Sequence, residues 1–181
     1  MPKDVWKEYE ANTLSHSAAH YLTTIHQLLR EHGYARVTDI AKHLNITRGS
    51  CSISLKALKK RGLVVEDENK FLQLSNEGER LAELVEKNDQ VIEDFLKGVL
   101  GVKAEQAEID ACKLEHLLSR DSSMRLASFL QFVSSDAPVA REFMREYRSN
   151  GPTCPHDAEK CQICEATCLV EAAPKTARLK A

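Results

Sequence analysis

The stretch Thr38-Asp39-Ile40-Ala41-Lys42-His43-Leu44-Asn45-Ile46-Thr47-Arg48-Gly49-Ser50-Cys51 decides the fold. Thr38 reads as an N-cap for a short helix over Asp39 to Leu44, and Asn45-Ile46 as a tight turn. Thr47 reads as the cap of a second helix from about Arg48 to Arg61, with Gly62 in the C′ position. Two short helices joined by a three- or four-residue turn match a helix-turn-helix. Ile40, Leu44, Ile46, Leu55 and Leu58 are expected to form its small core. The turn lacks the glycine often found there.

The flanks extend the motif. Upstream, a helix opens at Ser15 or Ser17 and carries an apolar stripe of period 3.6 through Ala18, Tyr21, Leu22, Ile25, Leu28 and Leu29, ending at Gly33. Downstream, Leu63-Val64-Val65-Glu66 and Phe71-Leu72-Gln73-Leu74 are β-prone runs joined by the polar turn Asp67-Glu68-Asn69-Lys70. Helix, helix, turn, helix, hairpin is the order of a winged helix. Between Arg36 and Gly62 there are seven basic residues and one acid, Asp39, although the whole chain has a net charge of −2. A local cationic face of this kind releases counterions from phosphate, so DNA is the expected partner. Thr47, Arg48, Gly49, Ser50 and Ser52 would meet the major groove, with shape and thymine-methyl contacts carrying part of the specificity. Arg36 and Lys56 would contact phosphate. Cys51 reads as a small core residue.

Ser75 is expected to cap a long helix from Asn76 to about Val99 with a broad apolar face. That face is too long for a winged domain to bury, so it would bridge to a second domain and a partner subunit. Asp89 and Glu93, four residues apart, are either two solvated acids or two members of a site. Helices are then expected over about Ala104 to Ser119, burying Ala107, Ala111, Leu114, Leu117 and Leu118, and from Asp121-Ser122 through Val133. A last helix would run from Ala137 to Tyr147. The fold class is therefore mainly α. A winged helix-turn-helix domain (14–75) precedes a helical dimerisation and metal-binding domain (76–149), followed by a cysteine-rich tail (150–181).

Asp110-Ala111-Cys112-Lys113-Leu114-Glu115-His116 carries the chemistry. On a helix, Cys112, Glu115 and His116 stand at i, i+3 and i+4, which puts a thiol, a carboxylate and an imidazole on one face. Together they form a partial ligand set for a divalent transition metal. Four of the six cysteines, Cys154, Cys161, Cys164 and Cys168, lie in the tail with His156 nearby. That spacing suggests zinc or an iron–sulfur cluster, or else a tail of reactive thiols.

Composition sets bounds. The chain has 181 residues, 43% hydrophobic and 29% charged, an ordinary soluble balance. No apolar run approaches the roughly 20 residues needed to cross a bilayer. The opening Met1-Pro2-Lys3-Asp4-Val5-Trp6-Lys7-Glu8 lacks the apolar core of a signal peptide, so the expected setting is the cytosol, where cysteines serve metals rather than disulfides. No general base or substrate pocket can be argued from the sequence, so an enzyme is not expected.

The chain resembles the diphtheria toxin repressor family of metal-dependent regulators, from about His16 to Val133. The resemblance is strongest in Gly33-Tyr34-Ala35-Arg36-Val37-Thr38-Asp39-Ile40-Ala41, in Arg61-Gly62-Leu63-Val64 and in Cys112-Lys113-Leu114-Glu115-His116-Leu117-Leu118-Ser119. It implies a homodimer that binds Fe²⁺ or Mn²⁺ and then grips a palindromic operator. Carried over residue by residue, it implies Cys112, Glu115 and His116 as metal ligands. His20 takes the place of a first-helix ligand that is methionine in the iron branch and aspartate in the manganese branch. Asp89, Glu93 and Glu108 fall on further family ligand positions, and Thr23 replaces a manganese-branch glutamate. Some family members end in an SH3-like domain; after Val133 no run of strands suggests one here. The expected function is repression of metal-homeostasis genes, with Fe²⁺ ahead of Mn²⁺. The alternative is a redox or iron–sulfur sensor operating through the cysteine tail.

Overall fold

The computed structural model describes residues 14–150. Helix α1 spans His16–His32, α2 Val37–His43 and α3 Arg48–Lys60. A two-stranded antiparallel hairpin follows, β1 Val64–Glu66 and β2 Leu72–Leu74, with Val64 opposite Leu74 and Glu66 opposite Leu72. Then come α4 Asn76–Asp94, a π-helical turn Phe95–Val99, α5 Ala104–Leu114, α6 Arg120–Val133 and α7 Pro138–Asn150. The chain divides into two compact units between Phe132 and Val133.

Local chemistry explains most of the helix ends. The hydroxyls of Ser15, Thr47 and Ser75 accept from the backbone N–H groups of Ala18, Ser50 and Gly78, satisfying donors that have no partner inside the helix. Gly33 stops α1 in the left-handed region at φ 76°, which a side chain would disfavour. Asn45, at φ 53°, takes the left-handed position in the turn between α2 and α3 that a glycine often fills.

Helix α2 departs from the expected start. It begins at Val37, its N-cap is Arg36, and no side chain caps it, so Thr38 does not have the capping role read from its type. Tertiary pairing sets this boundary. Leu72 N–H donates to the Ala35 carbonyl at 2.8 Å, joining the chain before α2 to the hairpin as a third short bridge. Ala35 and Arg36 are therefore extended, and the helix starts directly after them.

The core of the winged part joins α1, α3 and the hairpin. Leu22, Ile25, Ile40, Cys51, Leu55 and Leu72 are fully buried. Cys51 is thus a core residue, its Sγ 3.6 Å from the Val37 carbonyl. Leu44 packs against this core partly buried, but Ile46 is exposed, because the left-handed turn at Asn45 aims it outward. Helix α4 packs along α1 and against α5. His26 Nδ1 lies 2.8 Å from Glu86 Oε1, and Arg30 lies 3.6 Å from the same carboxylate, so a polar seam edges the α1–α4 contact.

Two helix ends differ from the sequence expectation. The long helix is α-helical only to Asp94 and then widens into the π turn, where Leu100 N–H reaches back to the Phe95 carbonyl. Gly101, at φ 70°, closes it. Helix α5 stops at Leu114 instead of Ser119, which leaves Leu114 and Leu117 exposed at 42% and 41%. Leu117 N–H turns back to the Leu114 carbonyl at 2.9 Å, a tighter i→i−3 bond in place of the α-helical one, and Asn88, buried on α4, donates its Nδ2 to the Glu115 carbonyl at 2.6 Å. In the second unit, Phe143 and Tyr147 stack one helical turn apart on α7.

The start of α4 is pinned by the Leu63 carbonyl, which accepts from both the backbone N–H and the hydroxyl of Ser75. A Cβ on Gly78 would sit 2.1 Å from that oxygen. Gly78→Ala must therefore push α4 off the hairpin and should destabilise the fold by about 1–3 kcal/mol. Urea unfolding checks this; an unchanged midpoint would show that the contact is not tight.

Candidate metal centre

The N-terminal turn of α1 and the C-terminal end of α5 meet against α4. His20, on the second turn of α1, presents Nε2 to two partners at once. Cys112 Sγ, in the last turn of α5, lies 3.4 Å from it, and His16 Nε2, one helical turn earlier on α1, lies 3.1 Å from it. Glu115 caps α5 with helical dihedrals and is only 6% exposed. One donor atom from each of His16, His20, Cys112 and Glu115 falls within 4.8 Å of all the others.

Of the sequence-derived ligands, His20, Cys112 and Glu115 are brought together. His116 lies past the end of α5, outside this four-donor group, with its ring centroid 5.1 Å from that of His16. Asp89, Glu93 and Glu108 form an acidic neighbourhood beside the group rather than part of it. Glu93 is paired with Lys97 at 2.6 Å. Thr23 turns its hydroxyl back to the Ala19 and His20 carbonyls, at 3.2 Å and 3.3 Å. The tail cysteines Cys154, Cys161, Cys164 and Cys168, and His156, lie outside the described residues. His16 was not read as a ligand from the sequence. The signal was available, since two histidines four apart on one helix face are a metal-binding spacing. Among the described residues a second set, His26, Glu79 and Glu83, also clusters, but both glutamates are exposed and His26 is already bonded to Glu86.

Electrostatics favours a cation here. Burial, then the negative charge of Asp89, pushes the Glu115 carboxyl up to about 7. Burial also raises the Cys112 thiol, helped by Glu115, Asp89 and Glu108. Asp89 is raised by burial and by Glu93 and Glu108. His20 is lowered by burial and by neighbouring His16 and His116, and His116 by burial and His16, so both rings favour the neutral form that can ligate. Acids resisting ionisation beside imidazoles resisting protonation are what a divalent ion would relieve. Imidazole nitrogen, thiolate sulfur and carboxylate oxygen suit a first-row transition metal.

The residues expected from the sequence to meet DNA lie at the start of α2 and on α3. Arg36, Thr47, Arg48, Gly49, Ser50, Ser52 and Lys56 are all exposed. Their freedom differs. The Thr47 hydroxyl is engaged as the α3 cap, with Ser50 Oγ at 2.9 Å. The Arg36 guanidinium stacks over Phe71 at 4.3 Å, which holds it against the hairpin. Lys59 is tied to Glu66, which lies beyond the basic segment, so the effective cationic face is smaller than the count of residues suggests. Ile53, which composition gives no reason to select, is 75% exposed on α3.

Glu115 makes the metal-free fold pH-sensitive. Its folded value lies above its ordinary 4.5, so the folded state holds the proton more tightly. Its contribution to stability is complete below that ordinary value and is lost as pH rises through about 7. The depressed histidines act in the opposite direction, so the comparison that isolates Glu115 is with Glu115→Gln. In chelator, urea midpoints measured between pH about 5 and about 8 should fall for wild type relative to that variant. Parallel curves would mean that the carboxyl is not strained.

Comparison with known proteins gives a consistent result. Residues 13–72 match the family described as "Iron dependent repressor, N-terminal DNA binding domain". Residues 75–144 match "Iron dependent repressor, metal binding and dimerisation domain". The HTH-type transcriptional regulator MntR of Lysinibacillus sphaericus is 30% identical over 122 residues, covering 67% of this chain and 87% of that protein. MntR of Bacillus subtilis is 29% identical over 116 residues, covering 64% and 81%. Among solved structures, the manganese regulator SloR aligns with a TM-score of 0.57 at 27% identity, covering 62% of this chain and 53% of that one. The chain thus spans about half the length of that structure. No helix among the described residues is long and apolar enough to cross a membrane. The chain belongs to the diphtheria toxin repressor family of metal-dependent, DNA-binding transcriptional regulators, which pairs a winged helix with a metal-binding dimerisation domain.

Proposed function

We propose that this protein is a cytoplasmic repressor of metal-homeostasis genes, switched on when one divalent ion is held jointly by α1 and the end of α5. The observation that carries the reading is the His20 Nε2 to Cys112 Sγ approach of 3.4 Å. It joins the first helix of the DNA-binding part to the helix of the metal-binding part. His20, Cys112 and Glu115 are the principal ligands, with His116 beside them. Asp89, Glu93 and Glu108 form an ancillary acidic site. When bound, the ion supplies positive charge and directed bonds. The protein's own groups do the rest: Asn88 holds the Glu115 turn in place, α4 carries the register between the two parts, and the exposed face of α3 meets the groove.

The physical logic is one of restricted geometry. A palindromic operator presents half-sites about one helical turn apart. A homodimer whose two α3 helices sample many separations meets both half-sites only part of the time. Crosslinking α1 to α5 narrows that distribution, and the linkage can shift it only by the ion's differential affinity for the two arrangements. On α3, Arg48 and Lys56 contact phosphate or groove edges, while Gly49, Ser50, Ser52 and Ile53 offer close apolar and hydroxyl contact.

The thiolate of Cys112 supports Fe²⁺ ahead of Mn²⁺, since sulfur donors suit softer ions. The manganese relatives and the acidic residues around the site keep Mn²⁺ second.

DNA-binding anisotropy on the operator-like region upstream of the coding sequence tests the reading, run anaerobically with Fe²⁺, Mn²⁺, Zn²⁺ or chelator. A metal should tighten wild-type binding about tenfold or more, equivalent to about 1.4 kcal/mol of coupling, while Glu115→Ala stays weak. Equal binding by both proteins in chelator would remove this site as the switch.

A further inference from the structure

We infer that His16 is a fourth protein ligand, so that His16, His20, Cys112 and Glu115 form a closed four-donor site selective for ions that accept nitrogen and sulfur in a tetrahedral field. The inference rests on the metal-switch reading above and specifies its ion class: Fe²⁺, Zn²⁺ and Co²⁺ as chemical peers, with discrimination against Mn²⁺.

The geometry at His20 carries it. A single ring nitrogen, Nε2, is 3.1 Å from His16 Nε2 and 3.4 Å from Cys112 Sγ. One proton on that nitrogen can bridge to one neighbour only. An ion between the three satisfies all of them. Donors around a tetrahedral ion with bonds of about 2.0–2.3 Å stand about 3.3–3.8 Å apart. The 3.4 Å separation falls within that range and the 3.1 Å one lies just below it, and the Glu115 oxygen closes the set within 4.8 Å of every other donor. The rings of His16 and His20 meet edge to face at 4.4 Å, so the His16 ring is turned into the site although the residue is exposed.

Position and charge agree. His16 is the first residue of α1, one turn before His20, and Ser15 fixes that turn by capping it. The helix start carries partial positive charge, which alone would disfavour a cation there. Two potential anions, the Cys112 thiolate and the buried Glu115 carboxylate, face it and offset that penalty. Four protein donors that include a thiolate and two imidazoles fill a tetrahedron without water. Mn²⁺ prefers more numerous oxygen ligands and gains least from such a set.

Co²⁺ titration of the full-length protein tests the assignment, because tetrahedral thiolate-bound Co²⁺ has intense visible ligand-field bands and a near-ultraviolet charge-transfer band. Wild type, His16→Ala, His16→Cys and Cys112→Ser are compared anaerobically, all in a background with Cys154, Cys161, Cys164 and Cys168 changed to Ser so that the tail thiols contribute no bands, with circular dichroism to confirm folding. His16→Ala should lose most of the ligand-field intensity and bind Co²⁺ about tenfold or more weakly, with Mn²⁺ affinity changed less than about twofold. His16→Cys should roughly double the charge-transfer intensity of this site by adding a second thiolate. If His16→Ala and His16→Cys match wild type while Cys112→Ser loses the charge-transfer band, His16 is not a ligand and the metal-switch reading survives. If Cys112→Ser also matches wild type, Co²⁺ does not bind here, and both fall.

Discussion

Glu115 is the group on which the rest of the structure turns. Its carboxyl is buried where α1, α4 and the end of α5 converge, and its backbone carbonyl is held by Asn88. Burying a carboxyl without compensating charge is costly, which is why its ionisation is displaced to about 7. The fold keeps it there because the surrounding donors make the cost recoverable. Two imidazoles from α1 and a thiol from α5 reach the same point. In the proposed reading, an ion held there would tie α1 of the DNA-binding part to α5 of the metal-binding part.

Asn88 holds the backbone next to the candidate ligands. Its Nδ2 donates to the Glu115 carbonyl just past the end of α5, where Glu115 still has helical dihedrals. Cys112 remains on the helix, Glu115 becomes its cap, and His116 swings beside His16. A ligand set spread over a helix end can adjust its spread more than one locked onto a helix face. That adjustment is held in check by a buried hydrogen bond of 2.6 Å.

Much of the fold was legible because its determinants are local. Ser15, Thr47 and Ser75 cap helices through their own hydroxyls, Gly33 needs a left-handed backbone, and the apolar stripe of α1 has helical period. Where the reading missed, the cause was tertiary. Thr38 lost its capping role to the Ala35–Leu72 bridge, Ile46 was turned outward at Asn45, and α5 ended at Leu114 beside a contact with Asn88, 27 residues away in sequence. The site was half legible. Cys112 and Glu115 announce themselves by spacing. His16 and His20 do so only when taken as a pair, and their meeting with α5 depends on the packing of α4, which no local pattern encodes.

Amide hydrogen exchange with and without the activating ion tests the crosslink most directly. Exchange should slow together in the first two turns of α1 and in the segment from Cys112 to Leu117, while the β1–β2 hairpin, distant from the ligands, keeps its rate. Both regions should lose that protection in Cys112→Ser. Protection confined to one of the two regions, or equal slowing across the hairpin, would contradict an ion that ties α1 to the end of α5.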